Sequence, residues 1–268
     1  MPFAQIRDLR MYYERAGTGR PLLFLNGSGG DLRVRPGPFQ GPLGREFDLL
    51  AHDQRGLGQT EVPVPPYSMA EYAEDSAALL DHVGWERCRV IGVSFGGMVA
   101  QELAVTYPER VERLVLCCTS SGGHGEPSYP LHELEGLPED EKLVQSLELA
   151  DRRMNGAWRE ENPDAFAGVR KLMQTRGAVG VGEEGRETGA RAQLEARRHH
   201  DVYERLAAAG MPALVCAGRH DGIAPVANSE AIVSRLPDAT LEVFDGGHLF
   251  LVQDRRAHER IVEFLSQA

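Results

Sequence analysis

A serine flanked by glycines two residues away on each side, Gly92-Val93-Ser94-Phe95-Gly96, lies between two recognisable stretches. Before it runs the apolar Cys88-Arg89-Val90-Ile91; after it comes Gly97-Met98-Val99-Ala100-Gln101-Glu102-Leu103, which reads as a helix. A strand-to-helix turn of this composition is a nucleophile elbow. Its backbone is so sharply bent that the flanking positions tolerate only hydrogen, and glycine provides that at little steric cost. The serine oxygen is thereby pushed out of the turn. A serine hydroxyl is a weak nucleophile until a base takes its proton. A histidine base needs an acid to hold its tautomer and stabilise its charged form.

Residues of the right types follow in the order serine, acid, histidine. Pro212-Ala213-Leu214-Val215-Cys216-Ala217-Gly218 has the pattern of a buried strand and leads into Arg219-His220-Asp221-Gly222, so Asp221 falls at a strand's carboxyl end. Thr240-Leu241-Glu242-Val243-Phe244 leads in the same way to Asp245-Gly246-Gly247-His248. The spacing predicts a triad of Ser94, Asp221 and His248. Each position has a rival. Asp-Gly is also a turn dipeptide, and Asp245 competes as the acid because it lies close to His248. Asp221 is preferred because it follows the strand that should carry the acid. His52 ends a strand and is a candidate to line a pocket. His220 reads as a solvated loop residue, and His199 and His200, in an Arg-rich helical stretch, read as surface.

A tetrahedral oxyanion needs two backbone N–H donors. Phe95, directly after the nucleophile, is one candidate. The second is expected in the loop Asn26-Gly27-Ser28-Gly29-Gly30, which follows the strand pattern Pro21-Leu22-Leu23-Phe24-Leu25. Ser28 is the chosen donor there.

These residues need a scaffold that presents several strand ends side by side. Strand and helix patterns alternate along the chain, which argues for an α/β fold with a mostly parallel central sheet and helices on both faces. Ser68-Met69-Ala70-Glu71 is a capping box that opens a helix reaching about residue 83. Val99, Leu103 and Tyr107 recur at four-residue spacing, and Pro108 stops that helix. Strands are expected at 47–51 and 111–119, a helix opening near Pro225, and a last helix at about 254–267 that buries Ile261, Val262 and Leu265. From about 120 to 210 strand patterns vanish, and helices are expected near 139–155, 163–175 and 189–209. Gly177-Ala178-Val179-Gly180-Val181-Gly182 has no preceding strand and no Lys-Ser or Lys-Thr ending, so it is not a phosphate loop.

Composition narrows the partners. With 40 acidic against 29 basic residues, net charge is −11, which disfavours nucleic acid and anionic membrane surfaces. Three of the four cysteines, Cys117, Cys118 and Cys216, fall in apolar strand patterns, and the set with Cys88 has no metal-ligand spacing. The start of the chain lacks the basic and apolar regions of a signal peptide, and no stretch is long enough for a membrane span. A cytoplasmic setting is expected.

Together the elbow, the order of the triad and Asp53-Gln54-Arg55-Gly56-Leu57-Gly58 resemble the α/β-hydrolases over about residues 11–264. In that family the Asp-x-Arg-Gly-x-Gly stretch supports the sheet and neighbouring loops. Many members carry His-Gly where this chain has Asn26-Gly27. The asparagine, and the run Gly-Gly-Met-Val-Ala-Gln after the elbow, are similar to the 3-oxoadipate enol-lactonases. The resemblance implies a cofactor-free serine hydrolase, without a metal, acting on a small carboxylic ester or lactone. It also implies a helical lid at 121–210, between core segments 1–120 and 211–268. Asn26, Gly27, Arg152, Arg153, Trp158 and Phe250 are the candidate substrate contacts, the lid arginines being suited to a carboxylate. Arg33 and Arg35 follow the oxyanion loop, and these two, like Arg152 and Arg153, read more readily as solvated or ion-paired surface residues. The alternatives are a C–C bond hydrolase of a ring-cleavage product using the same triad, and a ligand-binding receptor that keeps a triad but turns over slowly.

Overall fold

The computed structural model describes residues 2–268. Eight strands form one sheet: β1 (Phe3–Ile6), β2 (Leu9–Ala16), β3 (Pro21–Leu25), β4 (Asp48–His52), β5 (Cys88–Val93), β6 (Val111–Cys117), β7 (Ala213–Gly218) and β8 (Ala239–Phe244). Their spatial order is β1-β2-β4-β3-β5-β6-β7-β8. β1 and β2 run antiparallel at one edge, and all pairs from β4 through β8 are parallel. Parallel strands covered on both faces need apolar residues at nearly every position. That is why β5 and β7 are legible as continuous apolar runs, and every residue of β7 is buried. β1 and β2 are not anticipated. β2 mixes Arg10, Tyr12, Tyr13 and Glu14 with its apolar residues, and its outer half is only partly buried.

Among the described residues there are ten helices, the last two after the final strand: α1 (Pro42–Glu46), α2 (Met69–His82), α3 (Phe95–Thr106), α4 (Glu139–Ala150), α5 (Gly156–Glu161), α6 (Pro163–Gly177), α7 (Arg186–Arg198), α8 (Val226–Arg235), α9 (Phe250–Gln253) and α10 (Arg255–Ser266). The Ser68 capping box forms as expected, with the Ser68 side chain and Glu71 each satisfying the other's backbone N–H. The helices cover both faces. Tyr72, Leu79, Phe95, Val99, Leu103 and Ile232 pack on one side with Leu23 and Leu25. Phe47, Phe244, Ile261 and Leu265 pack on the other with Leu49 and Ile91.

The stretch between β6 and β7 carries α4 to α7 and no strand of the sheet. Two of its expected helices end early. α4 stops at Ala150 because the residues there bond to loops of the core. The helix expected at 189–209 runs from Arg186 to Arg198, and a separate 3-10 turn follows at Tyr203–Ala208. Between them the backbone returns to the loop after β6: Asp201 bridges Gly122, and the Val202 N–H donates to the Ser121 carbonyl at 2.9 Å.

Candidate active site

The turn from β5 into α3 forces Ser94 to φ 55°, ψ −117°. A residue with a Cβ rarely occupies such a conformation, and it survives only where the surroundings dictate it. The surroundings here are backbone. A Cβ on Gly92 would strike the Gly96 carbonyl, and one on Gly96 would strike the Leu25 carbonyl of β3. The flanking glycines are therefore demanded by close packing of the helix start against two strands. The Ser94 N–H is fixed to the Cys117 carbonyl at 2.8 Å.

The three residues expected from the sequence meet. His248 Nε2 lies 2.9 Å from Ser94 Oγ, and His248 Nδ1 lies 2.7 Å from Asp221 Oδ2. An ionised carboxylate can only accept, so Nδ1 carries the proton and Nε2 is left as the acceptor facing the serine. The Asp221 side chain has no solvent exposure. Its second oxygen accepts the N–H groups of Ile223 at 2.7 Å and Ala224 at 2.9 Å, which fix its orientation. The rival Asp245 is elsewhere: 66% exposed, it pairs with Arg153 at 3.2 Å and His220 at 3.5 Å.

The loop after β3 lies against the nucleophile. A Cβ on Gly27 would sit 3.4 Å from Ser94 Cβ. The loop is held from three sides. Gln54 Nε2 donates to the Asn26 carbonyl at 2.7 Å. Asp53 accepts the Leu32 N–H at 2.7 Å and, on its other oxygen, the Gln59 N–H at 2.9 Å. From α7, Gln193 Oε1 accepts the Gly29 N–H at 2.9 Å. Burial pushes Asp53 up to about 6, so this anchor is a carboxyl that resists ionising. Gly30 donates to the Gly27 carbonyl. Among the described residues, the N–H groups of Ser28 and Phe95 have no acceptor. The Asp53–Gly58 stretch thus ties the loop to the sheet as expected, and Arg55 within it pairs with Asp8 and Asp75. Gln193 was not anticipated, and nothing in its local sequence marks it.

The expected substrate contacts fare less well. Phe250 is fully buried and stacks on Phe244 with ring centroids 5.3 Å apart, so it is core on the α10 face. Arg153 is captured by Asp151 at 2.7 Å, two residues earlier, and by Asp245. It is a surface clamp, not a free cation. Arg152 is exposed beside Gly222, its Nε 3.1 Å from where a Cβ there would lie. Trp158 is half-buried in α5. Arg33 pairs with Asp31 and Glu183, and Arg35 with Glu14. His52 is buried at the end of β4, and burial holds it down at about 4. His199 is exposed as expected, but His200 is buried.

Cys118 is the one group that brings metal-ligand chemistry near the triad. Ligand atoms of Cys118, Asp221 and His248 lie within 4.8 Å of one another. Burial pushes the Cys118 thiol well above its usual range. It stays protonated, which disfavours it as a ligand because metals bind the thiolate.

The end of α4 is joined to the loops that carry Asp221 and His248. The His248 N–H donates to the Ala150 carbonyl at 2.6 Å, the Gly222 N–H to the Leu149 carbonyl at 2.8 Å, and the Arg152 N–H to the His220 carbonyl at 3.0 Å. No helix among the described residues is long and apolar enough to cross a membrane.

The family model for the alpha/beta hydrolase fold matches residues 20–254. The chain is 32% identical over 251 residues to a poly(3-hydroxyalkanoate) depolymerase of Ectopseudomonas oleovorans, covering 92% of this chain and 84% of that one. It is 27% identical over 269 residues to 3-oxoadipate enol-lactonase 2 of Acinetobacter baylyi, covering 96% and 93%. The crystal structure of an enol-lactonase from Burkholderia xenovorans LB400 superposes with a TM-score of 0.79 over 99% of this chain and 100% of that one, at 23% identity. A parallel sheet with helices on both faces, a strained serine at the β5–α3 turn and a matching family model over most of the chain lead to one assignment: the chain belongs to the α/β-hydrolase fold family.

Proposed function

We propose that the protein is a serine hydrolase that cleaves a small carboxylic ester or lactone through an acyl-enzyme. The observation that carries this is the continuous hydrogen-bonded chain Ser94 Oγ–His248–Asp221, at 2.9 and 2.7 Å, with the serine on a strained turn. His248 Nε2 takes the serine proton as Oγ attacks the carbonyl carbon. Asp221 stabilises the imidazolium that results. The oxyanion is met by the Phe95 and Ser28 N–H groups, neither of which has an acceptor among the described residues. His248 then gives its proton to the leaving oxygen and activates a water for deacylation. If the substrate is a lactone, the leaving oxygen and the acyl group are parts of one molecule, so the whole opened chain stays bound to Ser94 until that second step. The relative named an enol-lactonase supports the lactone as a substrate class.

The segment 121–210 acts in this reading as a lid between two parts of one core, 1–120 and 211–268. Its α7 touches the oxyanion loop through Gln193, and its α4 touches the acid and base loops. Lids of this kind exclude water and select substrate. The four cysteines are free and buried, which fits a reducing, cytoplasmic setting.

The test is turnover of 4-nitrophenyl esters and simple lactones by purified wild type and Ser94→Ala. The variant should lose nearly all turnover, keeping only the residual acceleration over water of roughly 10³–10⁴ that binding and the oxyanion hole provide. A variant that works at near the wild-type rate, with contaminating esterase excluded, removes Ser94 as nucleophile.

A further inference from the structure

Helix α7 makes two different contacts one turn apart. Gln193 holds Gly29 of the oxyanion loop. Four residues on, Arg197 lines a cavity of about 150 Å³, walled also by Met98, Ser120, Ser128 and His200. One helical turn rises about 5–6 Å, so this cavity begins roughly that far along α7 from the loop that meets the substrate carbonyl. Met98 fixes it to the nucleophile from the other side: its N–H bonds to the Ser94 carbonyl at 3.3 Å.

Arg197 is the unusual group. The chain buries three arginines. Arg55 pairs with Asp8 and Asp75, and Arg89 pairs with Glu112. Arg197, only 7% exposed, has no carboxylate partner among the described residues. Its Nη2 donates to Ser128 Oγ at 2.7 Å and the Tyr129 carbonyl at 2.9 Å, and its buried Nε has no acceptor. A buried cation without a counter-ion costs several kcal/mol, and burial holds this guanidinium down at about 10. Beside it His200 is buried with neither ring nitrogen hydrogen-bonded. The lining carries Arg197, Arg198, His132 and His200 and not one acidic residue, in a chain with 40 Asp and Glu.

We propose that this cavity binds a small carboxylate, with Arg197 as counter-ion and His200 as second hydrogen-bond donor. One buried cation matches one negative charge, and a carboxylate held by a guanidinium forms a stronger and more directional contact than a neutral hydrogen bond. Cavities of this size elsewhere accept a guest as large as benzene. The carboxylate is either an arm of the substrate, reaching from the acyl group past Met98, or a free small acid. The first source rests on the hydrolase reading; the second does not.

Two measurements separate the sources. The first compares kcat/KM for 4-nitrophenyl hydrogen glutarate and the uncharged 4-nitrophenyl pentanoate in wild type, Arg197→Met and Arg197→Lys. A charge-assisted hydrogen bond corresponds to a preference of about tenfold or more. A substrate arm in the cavity gives wild type that preference for the glutarate, Arg197→Met a ratio near one, and Arg197→Lys a ratio between them. The second titrates propionate calorimetrically into Ser94→Ala and into Ser94→Ala with Arg197→Met. Saturable binding lost in the double variant, without a glutarate preference, assigns the cavity to a free carboxylate. The proposal is overturned if wild type shows no preference and propionate does not bind at tens of millimolar. It is equally overturned if a folded Arg197→Met variant keeps the preference or the binding. Wild-type turnover of the pentanoate ester reads the hydrolase assignment separately, and propionate binding needs no turnover at all.

Discussion

Ser94 should be less stable in place than a glycine would be, and the difference is measurable. At φ 55°, ψ −117° the residue occupies backbone that a Cβ makes unfavourable, a strain of order 1–3 kcal/mol. Ser94→Ala keeps the Cβ and therefore the strain. Ser94→Gly releases it, but returns about 0.4–1 kcal/mol through the freer unfolded chain and gives up whatever packing the Ser94 Cβ makes. Both variants lose the hydroxyl and its bond to His248, so that term cancels between them. The net expectation is that Ser94→Gly is more stable than Ser94→Ala by about 0.5–2 kcal/mol. At ~2–4 °C per kcal/mol for a chain near this size, Tm should differ by roughly 1–8 °C. Calorimetry of the two variants at one pH reads it directly, with urea midpoints as a second measure. Both should be inactive. A glycine variant equal to or less stable than the alanine variant would refute the claim that the elbow stores backbone strain.

Asp221→Asn should lower kcat by about 10⁴ through loss of the productive imidazole tautomer, whereas Asp245→Asn should change it only a few-fold; the opposite ranking in ester kinetics moves the acid role to Asp245. Gly96→Ala should cost about 1–3 kcal/mol, because its Cβ meets the Leu25 carbonyl and backbone cannot yield as a side chain can; an unchanged urea midpoint contradicts that packing. Acid should destabilise the fold. His52 and His200 stay neutral in the fold down to about 4 and about 3, while in the unfolded chain they protonate near 6.5. Their contribution is complete above about pH 6.5 and is lost as pH falls towards those folded values. Asp53, raised to about 6, works in the opposite sense from about 3.8 to 6. Between about pH 6 and 4 these three groups leave the unfolded chain holding one more proton than the native state, a slope of about 1.4 kcal/mol per pH unit. His52→Leu should flatten it, and an unaltered urea-midpoint profile over that range would show that His52 does not titrate this way.

The meeting of Ser94, Asp221 and His248 was readable because each member sits at the end of a strand whose apolar run announces itself locally. The elbow needs only five residues of context, and the acid and histidine follow β7 and β8 directly. What escaped depends on partners remote in the chain. Arg153 looked available until folding brought Asp245 beside it, although Asp151 stood two residues away throughout. Phe250 follows His248 closely in sequence, yet the chain turns it back onto Phe244. His200 sits among arginines that suggest solvent, but the bridge from Asp201 to Gly122 holds that stretch against the loop after β6. Gln193 and Arg197 have ordinary neighbours, and only the packing of α7 gives them their places. β1 and β2 lie at an edge, where burial on both faces is not required and the apolar signal is correspondingly weak.

The three backbone bonds at the end of α4 divide the 121–210 segment into parts with different freedom to change. In residues 149–152 the carbonyl and N–H groups are where the Asp221 and His248 loops find hydrogen bonds. Side-chain substitution is easier at the exposed Arg152 than at Asp151, whose buried carboxylate accepts from Arg153 and Gln253, whereas insertion or deletion of a single residue would displace the Asp221 and His248 loops together. α5 and α6 carry no such bonds to those loops. The distal helices can therefore change in length without moving those loops, while the junction acts as a fixed length of chain. A graft of a relative's segment into this protein should therefore be joined after residue 152, not before 149.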